Sequence, residues 1–339
     1  MRIIIVGCGK VGSALAEQLS ADGHDLTLVD QSERRLSELA NTFDVATVTG
    51  NGTSYHVLKE AGVKETDLLI AVTTHDEINL LACLIASKAS GCHTIARVRD
   101  PQYVSEVGFI RDELGLSMVI NPEMSTARVV SRLIRFPSAI GVGTFAKGRI
   151  ELLDIRIPEK SRLNGMAVCE VNPLLHTDVL LCMVRRGGQT YIPKGDFILL
   201  AGDDITVIIP PREQVEFFQK IGVPNDRIGS VMIIGGGNVS YFLAKMLVAS
   251  GIAVKIIESS LERCELLSDL LPEATIIHGD GTDRDLLEEE GLSSCEAFVA
   301  LTGMDEENIL LSLHAGQHSR AKLFTKVNRV NFEEVIDSL

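Results

Sequence analysis

The fold is decided by residues 2–30, RIIIVGCGKVGSALAEQLSADGHDLTLVD. Ile3 to Val6 is a short, β-branched apolar run of the kind that forms a buried parallel strand. Gly7, Cys8, Gly9, Lys10, Val11 and Gly12 follow at once as G-x-G-x-x-G. Ser13 to Leu19 then carries apolar residues at helical spacing, and Leu26 to Val29 is a second strand ending in Asp30. Each glycine has its own physical role. Gly7 permits the tight turn, Gly9 lets a pyrophosphate approach the backbone, and Gly12 lets the helix pack close to the strand. The open N–H groups and positive end of the helix suit phosphate. Asp30 stands where an acid accepts hydrogen bonds from a ribose diol. The glycines alone would be weak evidence; strand, turn, helix, strand and acid in that order make a nucleotide site the reading.

Composition narrows the class. The chain has 339 residues, 45% hydrophobic and 23% charged, enough for two or three domains with real cores. No apolar run approaches the roughly 20 residues that span a bilayer, and the N-terminus reads as a strand rather than a signal peptide. The seven cysteines show no C-x-x-C and no metal spacing, which suits buried, reduced thiols in a cytoplasmic protein. A net charge of −14 argues against nucleic acid or an anionic membrane surface as partner.

Strands and helices alternate beyond Asp30. Helix 33–42, strand 46–49, a helix from Val57, strand 68–72, helix 77–90, strand 94–98 and strand 118–120 follow in turn. That alternation implies a doubly wound parallel sheet, α/β in class, with ligands outside the carboxyl ends of the strands. Gly7, Asp30, Thr73 and Thr74 all fall at those ends. The turn GNGT at 50–53 reads either as a base-edge contact or as an ordinary strand-to-helix turn. Pro122 to Arg135 is an amphipathic helix, with Met124, Val129, Val130, Leu133 and Ile134 on one side and Phe136-Pro137 as its stop. Residues 139–224 read as a small α+β lobe, with strands at 151–157, 179–184 and up to 209, and a short helix from Arg212 to Ile221.

The opening element then returns. SVMIIGGGNVS at 230–240 repeats the strand and glycine turn, and VKIIE at 254–258 repeats the second strand and its acid. GDGT at 279–282 matches GNGT, and ALTGMDEENIL at 300–310 matches AVTTHDEINLL at 71–81. This is an internal repeat. In the second copy Ser240 replaces the third glycine, so its helix is expected to pack less closely. Gly303 replaces Thr74 and Lys326 replaces Arg97. The expected architecture is two Rossmann-like doubly wound parallel sheets separated by the small α+β lobe. The domains are 1–121, a crossover helix 122–138, the lobe 139–224, and 228–339. The second copy stops short of a sixth strand and is expected to be incomplete at its C-terminal end.

The duplicated glycine fingerprint, the GNGT and GDGT turns, the T-x-x-D-E-x-N stretches at 73–79 and 302–308, and the intervening lobe together resemble the TrkA family of Trk potassium-uptake regulators. The modules of that family are called RCK or KTN domains. The resemblance covers essentially the whole chain. It implies a cytoplasmic regulatory subunit, peripheral on the inner face of the cell membrane, that binds NAD(H) and adenine nucleotides and gates a Trk-type potassium-translocating membrane protein. It also implies self-association into dimers or a ring. The ligand-contacting positions it implies are Gly7, Cys8, Gly9, Lys10, Val11, Gly12, Asp30, Thr73, Thr74 and Arg97. In the second half they are Gly235, Gly236, Gly237, Asn238, Val239, Glu258 and Lys326.

The residues leave some choices open. Asp30 repels a 2′-phosphate, which disfavours NADP, but NAD, ATP and ADP share the part read by Gly9 and Asp30. Lys10 either meets a terminal phosphate or is a solvated surface lysine. Arg97 either reaches a phosphate or pairs with a carboxylate such as Asp76. An NAD-dependent oxidoreductase would need a proton donor from the small lobe. His176, Tyr191 and Lys194 show no pairing that singles one out. A duplicated nucleotide domain suits a sensor better than a single-step dehydrogenase, and a structural adaptor with vestigial sites is the third class.

Overall fold

The computed structural model describes residues 1–136, 139–145, 150–210, 213–222 and 228–328. The chain divides into two compact units, Met1–Ser125 and Thr126–Leu339.

The first unit is built on six parallel strands: β1 Arg2–Val6, β2 Asp25–Asp30, β3 Ala46–Thr49, β4 Leu68–Ala71, β5 His93–Arg97 and β6 Met118–Ile120. Their spatial order is β3-β2-β1-β4-β5-β6, doubly wound as the alternation requires. Successive side chains of a strand face opposite sides, and here both sides are covered. Ile4, Val6, Leu69 and Ala71 pack with Leu58, Ala82, Cys83 and Ala86 on one face. Ile3, Ile5, Leu28 and Ile70 pack with Ala16 and Leu36 on the other. The β-branched run at 3–6 thus serves two cores at once, each fully buried side chain contributing roughly 1.5–3 kcal/mol. Short helices at Pro101–Ser105 and Val107–Leu114, which the apolar spacing does not mark, lead into β6.

The helix Pro122–Arg135 has the expected span, and of its apolar side Ile134 is buried. Ala127, Ser131 and Ile134 are buried, whereas Val129 is 47% exposed. Small side chains allow the closest approach and so line the packed stripe. Phe136 closes the helix, its N–H donating to the Arg132 carbonyl at 2.9 Å; Pro137 lies outside the described residues.

The second unit holds a five-stranded antiparallel sheet and a five-stranded parallel one. The antiparallel strands are β7 Gly141–Phe145, β8 Ile150–Arg156, β9 Leu180–Arg186, β10 Gln189–Tyr191 and β11 Asp204–Ile208, in the order β10-β9-β11-β8-β7. Their core gathers Leu153, Ile155, Val184, Val207, Phe217 and Phe218. Two strands and a helix are not evident from the sequence pattern. Strand β7 is rich in glycine. Strand β10 follows Gly187-Gly188, whose φ angles of 56° and 79° make the two-residue hairpin turn that extends β9 to Arg186. Helix Val168–Leu175 is masked by Pro173 inside it. The closing helix is Gln214–Lys220; Arg212 lies outside the described residues.

The parallel sheet comprises β12 Ser230–Ile234, β13 Ala253–Glu258, β14 Thr275–His278, β15 Ala297–Ala300 and β16 Lys322–Thr325, in the order β14-β13-β12-β15-β16. This repeats the order of the first five strands. Among the described residues, no helix is long and apolar enough to cross a membrane.

Candidate nucleotide site

The chain turns out of β1 at Gly7, whose φ of +97° belongs to the left-handed region and whose missing Cβ would lie 2.8 Å from the Thr73 nitrogen. The helix Lys10–Ala21 starts at once, with Gly9 as N-cap and no side chain bonding to its open end. The first N–H groups of a helix have no intrahelical partner, so they are available to an anion. Gly12 lies within the first turn; a Cβ there would sit 1.9 Å from the Gly7 carbonyl oxygen. It serves close packing, as expected. Gly9 has nothing within 4 Å of its Cβ direction, so the turn is open on its outer side.

Asp30 ends β2 and shapes this turn. Its Oδ2 accepts the Cys8 N–H at 2.7 Å, and its Oδ1 accepts the Ser32 N–H at 2.8 Å. Arg35 stands 3.8 Å from Oδ1. Cys8 contributes its backbone N–H; its thiol is buried, and burial, with Asp30 adding to it, pushes the thiol up to about 12. It is therefore no nucleophile near neutral pH.

A cavity of about 370 Å³ opens over these strand ends. Gly7, Gly9, Asp30, Thr73 and Thr74 line it together, joined by Arg35, Asn51 and Ile78. Cys8, Lys10, Val11, Gly12 and Arg97 are absent from the lining. Lys10 is exposed on the first helical turn, and Val11 packs into the core. Arg97 is ion-paired to Glu123, not to Asp76. Asp76 instead accepts the backbone N–H groups of Arg99 and Asp100, each at 2.7 Å.

Sequence reasoning left Asn79 without a role. It is fully buried in the first turns of the helix Asp76–Ser90, and its Oδ1 accepts both the N–H and the hydroxyl of Thr73 at 2.8 Å. Its Nδ2 donates to the Arg97 carbonyl at 2.9 Å. Asn308 repeats the clamp between Thr302 and the Lys326 carbonyl. The duplicated T-x-x-D-E-x-N stretch was the signal, and its chemistry is to hold two strand ends in register. Arg35, which with Arg34 reads from the sequence as a solvated helix charge, lines the cavity instead; the matching Arg263, at the same distance past the acid, was the available clue.

The second copy rebuilds the turn. Gly235 has φ of +94°, and Glu258 replaces the aspartate. Its Oε2 accepts the Gly236 N–H at 2.6 Å and its Oε1 the Ser260 N–H at 2.7 Å. Gly236 has no Cβ where one would lie 3.0 Å from Glu258 Cγ, which leaves room for the extra methylene. Ser240 is fully buried and its hydroxyl donates to the Gly235 carbonyl, so the replaced glycine becomes a hydrogen bond across the turn. A cavity of about 440 Å³ is lined by Gly235, Gly236, Gly237, Glu258 and Lys326, together with Asp280 and Glu307. Asn238 and Val239 are absent from that lining. Arg263 Nε donates to the Gly236 carbonyl at 2.6 Å, and its Nη2 to Asn238 at 3.1 Å.

A family model described as the TrkA-N domain matches residues 3–122 and 231–339, and one described as the TrkA-C domain matches 152–222. The chain is 36% identical to the Trk system potassium uptake protein TrkA homolog of Archaeoglobus fulgidus, across 100% of this chain and 76% of that protein. It is 34% identical to Trk system potassium uptake protein TrkA of Halomonas elongata, across 99% and 74%. Among solved structures it resembles the GsuK channel with a TM-score of 0.72 at 19% identity, covering 99% of this chain and 59% of that one. Both halves of the sequence, the lobe between them and the full-length identity place this chain in the TrkA family of Trk system potassium uptake proteins.

Proposed function

We propose that the protein is a nucleotide-sensing regulatory subunit of a Trk-type potassium uptake system. In this reading it is cytoplasmic, peripheral on the inner face of the membrane, and associates with itself into dimers or a ring beneath a potassium-translocating membrane protein. The first pocket binds NAD(H), with ATP or ADP as competing ligands. The observation that carries the reading is the open helix N-terminus at Gly9 beside Asp30, with Thr73 and Thr74 facing the same cavity. It offers N–H groups to a pyrophosphate and a carboxylate to a ribose. GsuK structures described as bound to NAD and to ADP share the fold, at TM-scores of 0.71 and 0.58. Gly7 to Gly12 and Asp30 then hold the nucleotide, with Arg97 acting on it through β5. In the second pocket Gly235 to Val239, Glu258 and Lys326 do the same.

In this reading the energy of nucleotide binding drives motion. Among the described residues of the small lobe, no proton donor for hydride transfer lines the second cavity: the Tyr191 hydroxyl is bonded to Gln189 at 2.6 Å, and neither His176 nor Lys194 is in that lining. A ligand shifts a conformational equilibrium only by its differential affinity for the two states. A tenfold preference, about 1.4 kcal/mol, moves a balanced population to roughly 90:10.

The test has two parts. Asp30→Ala is expected to weaken adenine-nucleotide binding at the first pocket by about 1.5–3 kcal/mol in calorimetry, the worth of charge-assisted hydrogen bonds. Potassium flux through the reconstituted partner is expected to differ between saturating ATP and saturating NADH. Unchanged affinity in the variant would defeat the ribose assignment, and equal flux with ATP, NADH and no ligand would defeat the sensor.

A further inference from the structure

We infer that the two nucleotide pockets sort their ligands by charge: the first accepts polyanionic nucleotides such as ATP, and the second selects against them in favour of NAD⁺. This rests on the nucleotide reading above and adds a specificity that the repeat alone would not suggest.

Matched positions of the two copies differ in charge. The first lining carries one acid, Asp30, one guanidinium, Arg35, and one imidazole, His75. The second carries three carboxylates, Glu258, Asp280 and Glu307, against one ammonium, Lys326. Glu307 takes the place of the apolar Ile78, and Asp280 takes the place of Asn51. At the phosphate turn the exposed Lys10 of the first copy is matched by the neutral Asn238. Arg263, the counterpart of Arg35, is turned onto the Gly236 carbonyl and Asn238 rather than into the cavity lining.

The Asn51/Asp280 pair shows that this is a difference of charge and not of shape. Asn51 Oδ1 accepts the Thr53 N–H at 3.0 Å and the Thr53 hydroxyl at 2.9 Å. Asp280 Oδ1 accepts the same two groups of Thr282 at 2.9 and 2.8 Å. Because the backbone N–H identifies the oxygen in each case, the remaining atom is an N–H₂ donor in the first pocket and a carboxylate acceptor in the second. The Thr282 N–H and hydroxyl hold the Asp280 carboxyl below its ordinary range, so its charge is permanent at neutral pH. ATP brings its full triphosphate charge to this wall. NAD⁺ brings two phosphates and cancels part of their charge with its own pyridinium. Asp280 is exposed and Glu307 half-buried; Coulomb energy over a few ångströms at such positions makes the difference worth about tenfold in relative affinity at low salt.

The test isolates each pocket in the full chain. Gly9→Asp and Gly237→Asp each place a carboxylate on an open N-cap, where neither Cβ meets anything within 4 Å. Aspartate is a favoured N-cap, so the helix is retained while phosphate is repelled. Titrations of NAD⁺ and of ATP, at low salt and without divalent cations, then give Kd(ATP)/Kd(NAD⁺) for each pocket. The expected ratio is about tenfold higher for the second pocket, in Gly9→Asp, than for the first, in Gly237→Asp. Adding Asp280→Asn and Glu307→Ile to Gly9→Asp restores the residues of the first copy and is expected to bring the ratio down toward that of the first pocket. This comparison also stands if Gly237→Asp fails to fold. Equal ratios in the two pockets, or a ratio unmoved by the Asp280/Glu307 exchange, would overturn charge sorting while leaving nucleotide binding intact. Absence of binding of either ligand to the unmodified chain would overturn the nucleotide reading itself.

Discussion

Glu258 and Gly236 are fitted to one another as a pair. The additional methylene of the glutamate lies where a Cβ on residue 236 would stand 3.0 Å from Glu258 Cγ. The carboxylate therefore meets the same two backbone N–H groups that Asp30 meets beside Cys8. A longer acid and a bare Cα give the same turn as a shorter acid and a residue with a side chain.

The pair is expected to be energetically coupled. Gly236→Ala also brings a Cβ to 2.7 Å from Leu267 Cδ1, so it is expected to destabilise the second unit by about 1–3 kcal/mol. In a Glu258→Asp background the loss is expected to shrink by about 0.5 kcal/mol or more. Urea unfolding of the four chains in a double-mutant cycle measures this, and additive effects would mean that the two residues do not share the space.

Gly9 and Gly12 are expected to respond in opposite ways to substitution. Gly12→Ala drives a Cβ into the Gly7 carbonyl, with a distance of 1.9 Å before relaxation, and is expected to cost about 3 kcal/mol or more. Gly9→Asp meets open space and is expected to change stability by no more than about 0.5 kcal/mol while abolishing binding at the first pocket. Thermal melts paired with NADH titration separate the two outcomes.

Asn79 is a strand clamp. Asn79→Leu leaves the Thr73 N–H and the Arg97 carbonyl without their partner in a fully buried place. Each orphaned group costs about 1–3 kcal/mol, so a loss of at least about 2 kcal/mol is expected in denaturant unfolding. A loss comparable to that of Leu81→Ala, on the exposed side of the same helix, would show that the clamp carries no energy.

Asp203 sets an acid limit for the small lobe. Its side chain is 1% exposed and is held by Arg186 in two parallel bonds of 2.6 and 2.7 Å and by the Leu200 N–H at 2.8 Å. Burial raises its pKa, but the Arg186 bonds, the Leu200 N–H and the Arg186 charge outweigh it, and the carboxyl lies below its ordinary 3.8. A depressed folded-state pKa stabilises above the unfolded value and loses that contribution as pH falls through the folded one. Calorimetric scans of the full chain from about pH 5 to about pH 2 are expected to show the loss beginning below 3.8. In Arg186→Gln the transition is expected to move to higher pH; an unmoved acid limb would exclude Asp203 as its source.

How much was legible in the sequence varies with the range of the interaction. The strand-turn-helix-strand of residues 2–30, the alternation of strands and helices and the repeat all follow from sequence pattern, because backbone geometry at a glycine turn and the apolar spacing of an element are decided by neighbours in the chain. For the same reason the two cavities fell where the strand ends put them. Gly7, Gly12 and Gly235 needed no knowledge of the rest of the molecule. Tertiary structure decided which charges face a ligand. Arg97 is taken up by Glu123, Arg263 is turned onto its own glycine loop, and Arg35 lines the first cavity. A long charged side chain goes to whichever partner lies within a few ångströms, and that partner, as with Arg97 and Glu123 or Asn79 and the Arg97 carbonyl, comes from an element distant in sequence.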